Sequence, residues 1–299
     1  MRKHLKDILL KGIFRLPVRI LARDLGMLGI AATFLPYRGA QSYVLPRGDR
    51  GEHRGPRLPV PPQDLWLGYG ATSEGYLASG KEDLEKLLVV ARSSGFDLND
   101  RARVLDFGCA SGRMIRWLVD HTERGEVWGV DISGAHITWC QQNLSPPFRF
   151  ATTTTFPHLP FEDNYFDLIY AASVFTHISD LAEAWLMELR RIARPGGRLV
   201  LTVHDKHTLK LVFDPEWAGA HPDANSPGYV DDYTRAMLSS PESREILEQD
   251  FAVATIARGR GSQVFHDAAY LCQHWGSYLK VHSITPEAHG YQTAVLLEK

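Results

Sequence analysis

Short apolar runs alternate with helix-forming segments between residues 103 and 204 of this 299-residue chain. The runs predict strands at 103–107, 127–131, 148–152, 166–171 and 198–204. The segments between them predict helices at 112–120, 134–143 and 179–193. Continuous apolar strands that alternate with helices are typical of parallel pairing with both faces of the sheet buried. The sequence therefore predicts an α/β fold, a doubly wound and mostly parallel sheet.

The segments on either side complete this pattern. Leucines at helical spacing predict a helix over 74–95, which ends at a glycine. Prolines interrupt the rhythm over 206–262, which is typical of an insertion that lies over the strand ends and covers a substrate. A helix at 266–275 and strands at 278–284 and 291–299 follow, and the turn TPEAHG joins the two strands as an antiparallel hairpin.

Charge and cysteine content exclude several classes of partner. The 33 basic and 35 acidic residues leave a net charge of -2, which argues against a nucleic-acid partner. The three cysteines, Cys109, Cys140 and Cys272, are far apart and form no C-x-x-C pair. We therefore expect no disulfide framework, no metal site and a reducing, cytoplasmic location.

The N-terminal segment is strongly basic. Residues 1–23 contain seven Lys or Arg side chains and one acid, and basic residues recur every four positions from Lys11 to Arg23. This pattern predicts a basic amphipathic helix, divided at Pro17. Two interpretations stay open for residues 1–35: peripheral contact with the inner face of an anionic membrane, or packing on the domain itself or on a second copy in a homodimer. A signal peptide is the weaker interpretation.

Domain boundaries follow from the composition after this arm. Residues 46–62 are rich in proline, glycine and charge, which is typical of a linker. We therefore predict an arm and linker over 1–62 and one ligand-binding domain over 63–299, with the insertion at 206–262.

The stretch VLDFGCASGRM, residues 104–114, ends a buried strand on a carboxylate and then alternates small residues. Gly108, Ala110 and Gly112 let a ligand approach the backbone, but Arg113 stands where the dinucleotide fingerprint G-x-G-x-x-G has its third glycine. Asp106 favours a ligand with a cationic group over a pyrophosphate. Asp131, at the end of the second strand, is placed to accept ribose hydroxyls. A ribose joined to a cationic amino acid without a diphosphate describes S-adenosylmethionine.

Four segments in the same order and spacing resemble a class I S-adenosylmethionine-dependent methyltransferase: VLDFGCASGR, VWGVDIS, FEDNYFDLIYAASVFTHI and LRRIARPGGRLVLTVH. The resemblance covers the chain from about residue 74 to the C-terminus. This segment is most similar to bacterial small-molecule and glycan-type methyltransferases. It implies a Rossmann-like fold of seven strands, in which the last strand is antiparallel and inserted beside the sixth.

The resemblance also implies which residues contact the cofactor. Asp131 corresponds to the ribose acid, Ile132 to the apolar residue against adenine, and Ser173 to residues beside the methionine. The sequence departs from the family at Ala110, where a glycine is usual, and at TTTT, where Thr153 stands in for an acid or amide near the adenine amino group. The predicted cofactor contacts are Asp106, Gly108, Cys109, Ala110, Gly112, Arg113, Asp131, Ile132, Thr153 and Ser173.

Four residues are candidates for acid–base chemistry. His177 and His204 follow the two strands nearest the expected methyl group, Asp205 adjoins His204, and His266 precedes the late helix, where relatives similarly have histidine. A general base would assist transfer to a hydroxyl. The alternative for each histidine is a structural role, bonded to the backbone.

The sequence disfavours three other functions. An aminopropyl transferase needs acidic residues to hold a polyamine, and the SVFTH segment offers His and Thr instead. A non-catalytic binding or membrane-docking module is disfavoured by the intact glycine loop, and a dehydrogenase by the glycine spacing. The expected acceptor is a hydroxyl, amine or carboxyl group of a small molecule or of a glycan- or lipid-linked compound. Similar sequences favour the glycan or lipid class.

Overall fold

The computed structural model describes residues 58–99, 101–178, 180–213, 238–256 and 262–299. Nine strands lie in these ranges: β1 (Arg103–Phe107), β2 (Glu126–Asp131), β3 (Arg149–Thr152), β4 (Phe166–Ala171), β5 (Ala193–Val203), β6 (Val253–Ile256), β7 (Gln263–His266), β8 (Lys280–His289) and β9 (Gln292–Glu298). The predicted arm before residue 58 and most of the predicted insertion, 214–237 and 257–261, lie outside the described residues.

Seven of the strands form one sheet in the order β3-β2-β1-β4-β5-β9-β8. The pairs among β1 to β5 are parallel, whereas β9 is antiparallel to both β5 and β8. The predicted doubly wound sheet is confirmed, and so is the insertion of an antiparallel last strand beside the sixth. The strand order reverses between β1 and β4, which is where ligands bind in such sheets.

Helices cover both faces of the sheet. They are α1 (Ser73–Arg92), α2 (Gly134–Asn143), α3 (Ala182–Ile192), α4 (Lys206–Phe213), α5 (Pro241–Glu248) and α6 (Ala268–His274). Alternate residues of β1 divide between the two cores: Val104 packs with α1 and α2, and Leu105 with α3 and α6. The amphipathic spacing of α3 explains its position, because Trp185 and Leu189 are buried on one side of it.

Two predicted elements differ from the structure. The segment predicted as a helix over 112–120 forms short 3-10 turns instead, Ile115–Leu118 and Asp120–Glu123. Val119 and Asp120 between them are weak helix formers, and Ile115 and Leu118 are held by packing against α1 and α2. The predicted turn at 285–290 is also wrong. β8 continues to His289 through an irregular register after Thr285, so that the chain reverses only at 290–291.

The described part of the insertion is more regular than predicted. It contains α4, α5 and β6, and β6 pairs with β7 in a separate two-stranded sheet. A small apolar cluster holds these elements together, with Leu209, Leu238, Ile256 and Phe265 buried in it. None of the helices in the described ranges is long and apolar enough to cross a bilayer.

A buried ion pair joins α1 to the loop after β1. Arg113 Nη1 lies 2.7 Å from Asp83 Oδ2, and the imidazole Nδ1 of His289 lies 3.3 Å from the other oxygen of that carboxylate. Burial alone raises the pKa of Asp83, but His289 and Arg113 outweigh it and hold this pKa well below its usual range. The stability that Asp83 contributes is therefore present at neutral pH and is lost as the pH falls below about 4.

Replacing Arg113 with Met leaves the Asp83 carboxylate buried beside His289 alone. We expect the free energy of unfolding at pH 7 to fall by about 3–5 kcal/mol, measured by urea denaturation. The matched control is Lys86→Met on the exposed face of α1, where the Lys86–Glu82 pair is solvated. That change is expected to cost no more than about 1 kcal/mol, and equal losses in the two variants would contradict a special role for the buried pair.

Candidate functional site

The loop after β1 passes close to neighbouring residues at Gly108. The N–H groups of Gly108 and Cys109 donate to the Val130 carbonyl at 2.8 and 3.0 Å, which ties the loop to the end of β2. Gly108 has φ +88°, and a Cβ atom there would lie 2.3 Å from a Val174 methyl group. A side chain at Gly108 is therefore excluded both by backbone strain and by lack of space.

Asp131 holds the turn that the loop forms. One of its carboxylate oxygens accepts from the Ala110 N–H at 2.9 Å and the other from the Ser133 N–H at 2.7 Å. Each oxygen keeps a second acceptor direction, so the predicted ribose contact is compatible with this geometry. The Ile132 side chain beside it is 60% exposed, although it is large and apolar.

Thr153 lies next to the same carboxylate residue. Its N–H donates to the Asp131 carbonyl at 2.9 Å, and its hydroxyl is buried without a hydrogen-bond partner in the described part of the chain. A buried polar group without a partner is unusual in a folded protein. The predicted contact of Thr153 with the adenine amino group would supply that partner.

Asp106 is the second polar group at the site without a partner. It is 3% exposed, and both its Oδ2 atom and the hydroxyl of Tyr170, its cross-strand neighbour, lack partners that meet hydrogen-bond geometry in the described ranges. Burial raises the pKa of Asp106 to about 7. The nearby Tyr170 hydroxyl and Arg113 oppose the rise, and the Asp131 carboxylate adds to it. A cationic ligand group beside Asp106 would stabilise its ionised form.

Two of the predicted contacts have side chains that are occupied elsewhere. The Arg113 guanidinium lies 3.8 Å above the Tyr69 ring and donates to the Ser79 hydroxyl at 3.2 Å, in addition to its pairing with Asp83. The Cys109 side chain is buried, and its thiol points to the Ala110 carbonyl at 3.6 Å. The side chains of both residues therefore contribute to packing around the loop.

Ser173 lies in a polar network that joins three elements. Its hydroxyl accepts from Gln292 Nε2 at 2.8 Å and lies 3.3 Å from the Tyr69 hydroxyl, while its N–H donates to Thr202 Oγ1 at 2.7 Å. Trp66 and Tyr76 are buried and stacked on each other, whereas Tyr69 is only partly buried. Gln292 was missed, because only the pairing of β9 with β5 brings it here.

His177 is exposed and has a defined tautomer. Its Nδ1 lies 2.7 Å from the Ser262 carbonyl oxygen, and the Ser262 hydroxyl donates back to the His177 carbonyl at 2.7 Å. A carbonyl oxygen only accepts, so Nδ1 carries the hydrogen and Nε2 keeps its lone pair in the neutral ring. The His177 side chain is therefore oriented to accept a proton at Nε2.

His204 and His266 are both buried. The ring nitrogens of His204 have no hydrogen-bond partner in the described part of the chain, whereas the His266 ring interacts with the Phe175 backbone, which opposes the effect of burial on its pKa. Burial lowers the pKa of His204 well below its usual range, with smaller contributions from His177 and His266, and burial lowers the pKa of His266 to about 4. Both rings are therefore neutral at pH 7. No group of three or more His, Cys, Asp or Glu residues in the described ranges is arranged to hold a metal ion.

Asp205 has both carboxylate oxygens engaged. Oδ1 accepts from the Thr208 N–H at 2.9 Å, which caps the start of α4, and Oδ2 accepts from the Thr293 hydroxyl at 2.8 Å. The structure thus places Asp205 beside His204 in the chain but directs its carboxylate to α4 and β9. The carboxylate is therefore engaged by the protein's own groups, and a catalytic role for Asp205 stays a prediction.

A groove of about 1410 Å³ is lined mainly by residues of α6 and β8, together with Asp205 and Lys299. It is wide and open, and it contains no residue of the glycine loop, Asp131 or Thr153. The separation from the buried carboxylate and the glycine loop excludes this groove as the cofactor site.

The chemistry at the strand ends fits S-adenosylmethionine. The buried Asp106 carboxylate, whose Oδ2 atom lacks a well-formed hydrogen bond in the described ranges, is suited to an ammonium group. Asp131 and Thr153 provide acceptors for ribose and adenine at the neighbouring strand ends. The fold and loop thus define a nucleoside-binding protein of the Rossmann-like class.

Comparisons with known proteins agree with this class. Residues 105–201 match the family model described as a methyltransferase domain. Methyltransferase GfsG of Streptomyces halstedii is 30% identical over 35% of this chain and 38% of that protein. The ubiquinone/menaquinone biosynthesis C-methyltransferase UbiE of Paraburkholderia xenovorans is 28% identical over 49% of this chain and 65% of that protein. The chain thus spans less than two thirds of the length of both relatives.

A solved structure supports the fold. The crystal structure of the PH0226 protein from Pyrococcus horikoshii OT3 superimposes with a TM-score of 0.51 and 20% identity, covering 77% of this chain and 94% of that one. The chain therefore has a Rossmann-like fold, and its residues 105–201 are similar to S-adenosylmethionine-dependent methyltransferases. S-adenosylmethionine is the cofactor that this similarity supports.

The raised pKa of Asp106 predicts how pH affects cofactor binding. A ligand ammonium group binds the ionised carboxylate, so binding below pH 7 must first remove a proton from Asp106. We expect the affinity for S-adenosylhomocysteine to be level above pH 7.5 and to fall by up to about tenfold per pH unit below 7, measured by calorimetry. In Asp106→Asn, binding should be weaker and lose this dependence. Equal wild-type affinity at pH 6 and pH 8 would contradict the assignment.

Proposed function

We propose that this protein transfers the methyl group of S-adenosylmethionine by in-line displacement to a hydroxyl, amine or carboxyl group of a small-molecule, glycan-linked or lipid-linked acceptor. The observation that carries the proposal is the buried Asp106 carboxylate at the end of β1, whose Oδ2 atom makes no well-formed hydrogen bond in the described ranges although the Tyr170 hydroxyl is near. It lies next to a loop whose Ala110 N–H donates to Asp131. The methyltransferase-domain match over 105–201 supports the same reaction class.

The chain's own residues would act mainly by binding and positioning. The cofactor, when bound, supplies an activated methyl group on a sulfonium. Asp106 would hold the ammonium group, Asp131 the ribose, and Ile132 and Thr153 the adenine. Ser173, fixed by Gln292 and Thr202, lies at the end of β4, where it would contact the methionine part. Aligning acceptor and methyl group in this way can lower the barrier by about 7–11 kcal/mol.

His177 is the general base in this proposal. Its Nδ1–H donates to the Ser262 carbonyl, so that the free Nε2 would take the proton of a hydroxyl acceptor. His204 and His266, neutral and buried behind it, would line the acceptor side. Asp205 is better suited to positioning, since its carboxylate caps α4 and bonds to Thr293.

The acceptor class rests on the relatives and on the basic arm. UbiE is named for a step in ubiquinone and menaquinone biosynthesis, which supports a lipid-type acceptor for this chain. The seven basic residues of 1–23 would hold the enzyme at the inner face of an anionic membrane, where such compounds are found. A homodimer through the arm is the competing arrangement.

The arm proposal predicts membrane binding that depends on salt. The full chain should co-sediment with vesicles containing phosphatidylserine at low ionic strength and be released at about 0.5 M NaCl, because screening weakens surface attraction. Reversing the charge of Lys11 and Arg15 to Glu should abolish sedimentation. Failure of the wild-type chain to sediment at low salt would exclude the membrane contact.

The base proposal predicts a loss of turnover without a loss of cofactor binding. In His177→Ala we expect methyl transfer to a hydroxyl acceptor to slow by about 100- to 10,000-fold, with the affinity for S-adenosylhomocysteine unchanged. The control is His158→Ala, because the His158 side chain is 80% exposed and lies 3.8 Å from Glu188 of α3. The acceptor is supplied as fractionated cell extract with methyl-labelled cofactor. Wild-type turnover in the His177 variant would exclude this base.

A further inference from the structure

Three buried polar side chains belong to segments whose backbones pair: Thr176 before His177, His204 after β5 and Gln263 in β7. Each of them is at most 1% exposed. The Thr176 hydroxyl, both ring nitrogens of His204 and the Gln263 Oε1 atom have no hydrogen-bond partner in the described ranges. Four such atoms on three adjoining segments are exceptional, because leaving a buried polar group unpaired costs about 1–3 kcal/mol.

Backbone pairing brings these residues together. His204 forms a parallel bridge with Phe265, and the Val264 N–H donates to the Thr176 carbonyl at 2.8 Å. Gln263 lies two residues before Phe265 and is therefore on the same face of β7 as Phe265, which pairs with His204. His266 is on the other face. His177, the base of the proposed function, also interacts electrostatically with His204.

None of the three side chains carries a charge at pH 7. Thr176 and Gln263 are not ionisable, and burial keeps His204 neutral by lowering its pKa. The neighbouring Asp205 carboxylate is directed to Thr208 and Thr293, and the Lys206 ammonium lies 3.4 Å from Asp250. The three side chains can therefore offer hydrogen bonds to an acceptor, but no ion pair.

We propose that Thr176, His204 and Gln263 form the acceptor subsite and that it takes an uncharged, hydroxyl-bearing compound, which is methylated to an ether. The inference rests on the proposed function and narrows its acceptor to one of three groups. The acceptor oxygen bonds to the methyl carbon, the sulfur keeps the electron pair of the bond that breaks, and the hydroxyl proton passes to His177 Nε2. A neutral imidazole, a hydroxyl and an amide oxygen together donate to and accept from such hydroxyl groups.

A pair of identical substitutions separates ligand binding from structural support. Thr176 and Thr293 are both fully buried, but only the Thr293 hydroxyl has a protein partner, Asp205. Thr176→Val should leave the melting temperature of the full chain unchanged or higher and keep S-adenosylhomocysteine affinity, yet slow labelling of the acceptor fraction about tenfold or more. Thr293→Val should lower the melting temperature by several degrees. A melting temperature lowered as much in Thr176→Val as in Thr293→Val would overturn the proposed subsite. Labelling of the acceptor fraction by Thr176→Val at the wild-type rate would also overturn it.

Gln263→Leu provides a second variant that is independent of Thr176. It replaces an amide whose Oε1 is unpartnered with an apolar side chain of similar size. The same combination of retained thermal stability, retained cofactor affinity and slower labelling is expected. Labelling at the wild-type rate would show that Gln263 does not belong to the subsite and would overturn the proposed set of three residues.

The chemical nature of the product tests the acceptor class. The full-length protein is incubated with cell extract and methyl-tritiated cofactor, and the labelled product is separated on ion exchangers. We expect a base-stable product that gains no charge at the methylated group and releases its label as methyl iodide in hydriodic acid, as an ether does. Methanol released by mild base, label in a methylated amine, or label that resists hydriodic acid would overturn the inference but leave methyl transfer intact. An absence of label in every fraction would contradict the proposed function itself.

Discussion

Parallel pairing of β1 with β2 on one side and β4 on the other is the constraint on which the site depends. Because the carboxyl ends of parallel strands lie at one edge, Asp106, Asp131 and the segment after Ala171 are brought together although 65 residues separate the first from the last. The bonds from the loop to the Val130 carbonyl and the Asp131 carboxylate then fix the backbone there. The polar groups of the site are thus brought together by the hydrogen-bonded pairing of the parallel strands.

Three buried or partly buried carboxylates, those of Asp131, Asp205 and Asp106, differ in how many hydrogen bonds they accept from the protein itself. Asp131 accepts from two backbone N–H groups, and Asp205 accepts from Thr208 and Thr293, so both stabilise turns of the protein. Asp106 has an oxygen with no such donor, and burial raises its pKa. A protein that leaves a carboxylate in this state loses stability at that point, which is typical of a group that binds a ligand.

Local sequence patterns were sufficient for the elements with strong periodicity or clear breakers. The strands 103–107 and 166–171 and the helix 134–143 match their predicted bounds. The pattern failed at 112–120, where weak helix formers follow a glycine with positive φ, and at 285–290, where turn-forming residues continue β8 instead. In both places, contacts with distant strands decide the conformation, and propensity alone does not contain them.

The sequence by itself determined the order of elements, the glycine loop and the carboxylates at two strand ends, because these depend on spacing and residue type over short stretches. Only the tertiary structure decided which side chains are free to act. It committed Arg113 to Asp83 and Asp205 to α4, brought Gln292 to Ser173, and left His204 buried without a partner. Partners of buried polar groups come from segments far apart in the chain, and their pairing is settled only when the segments pack.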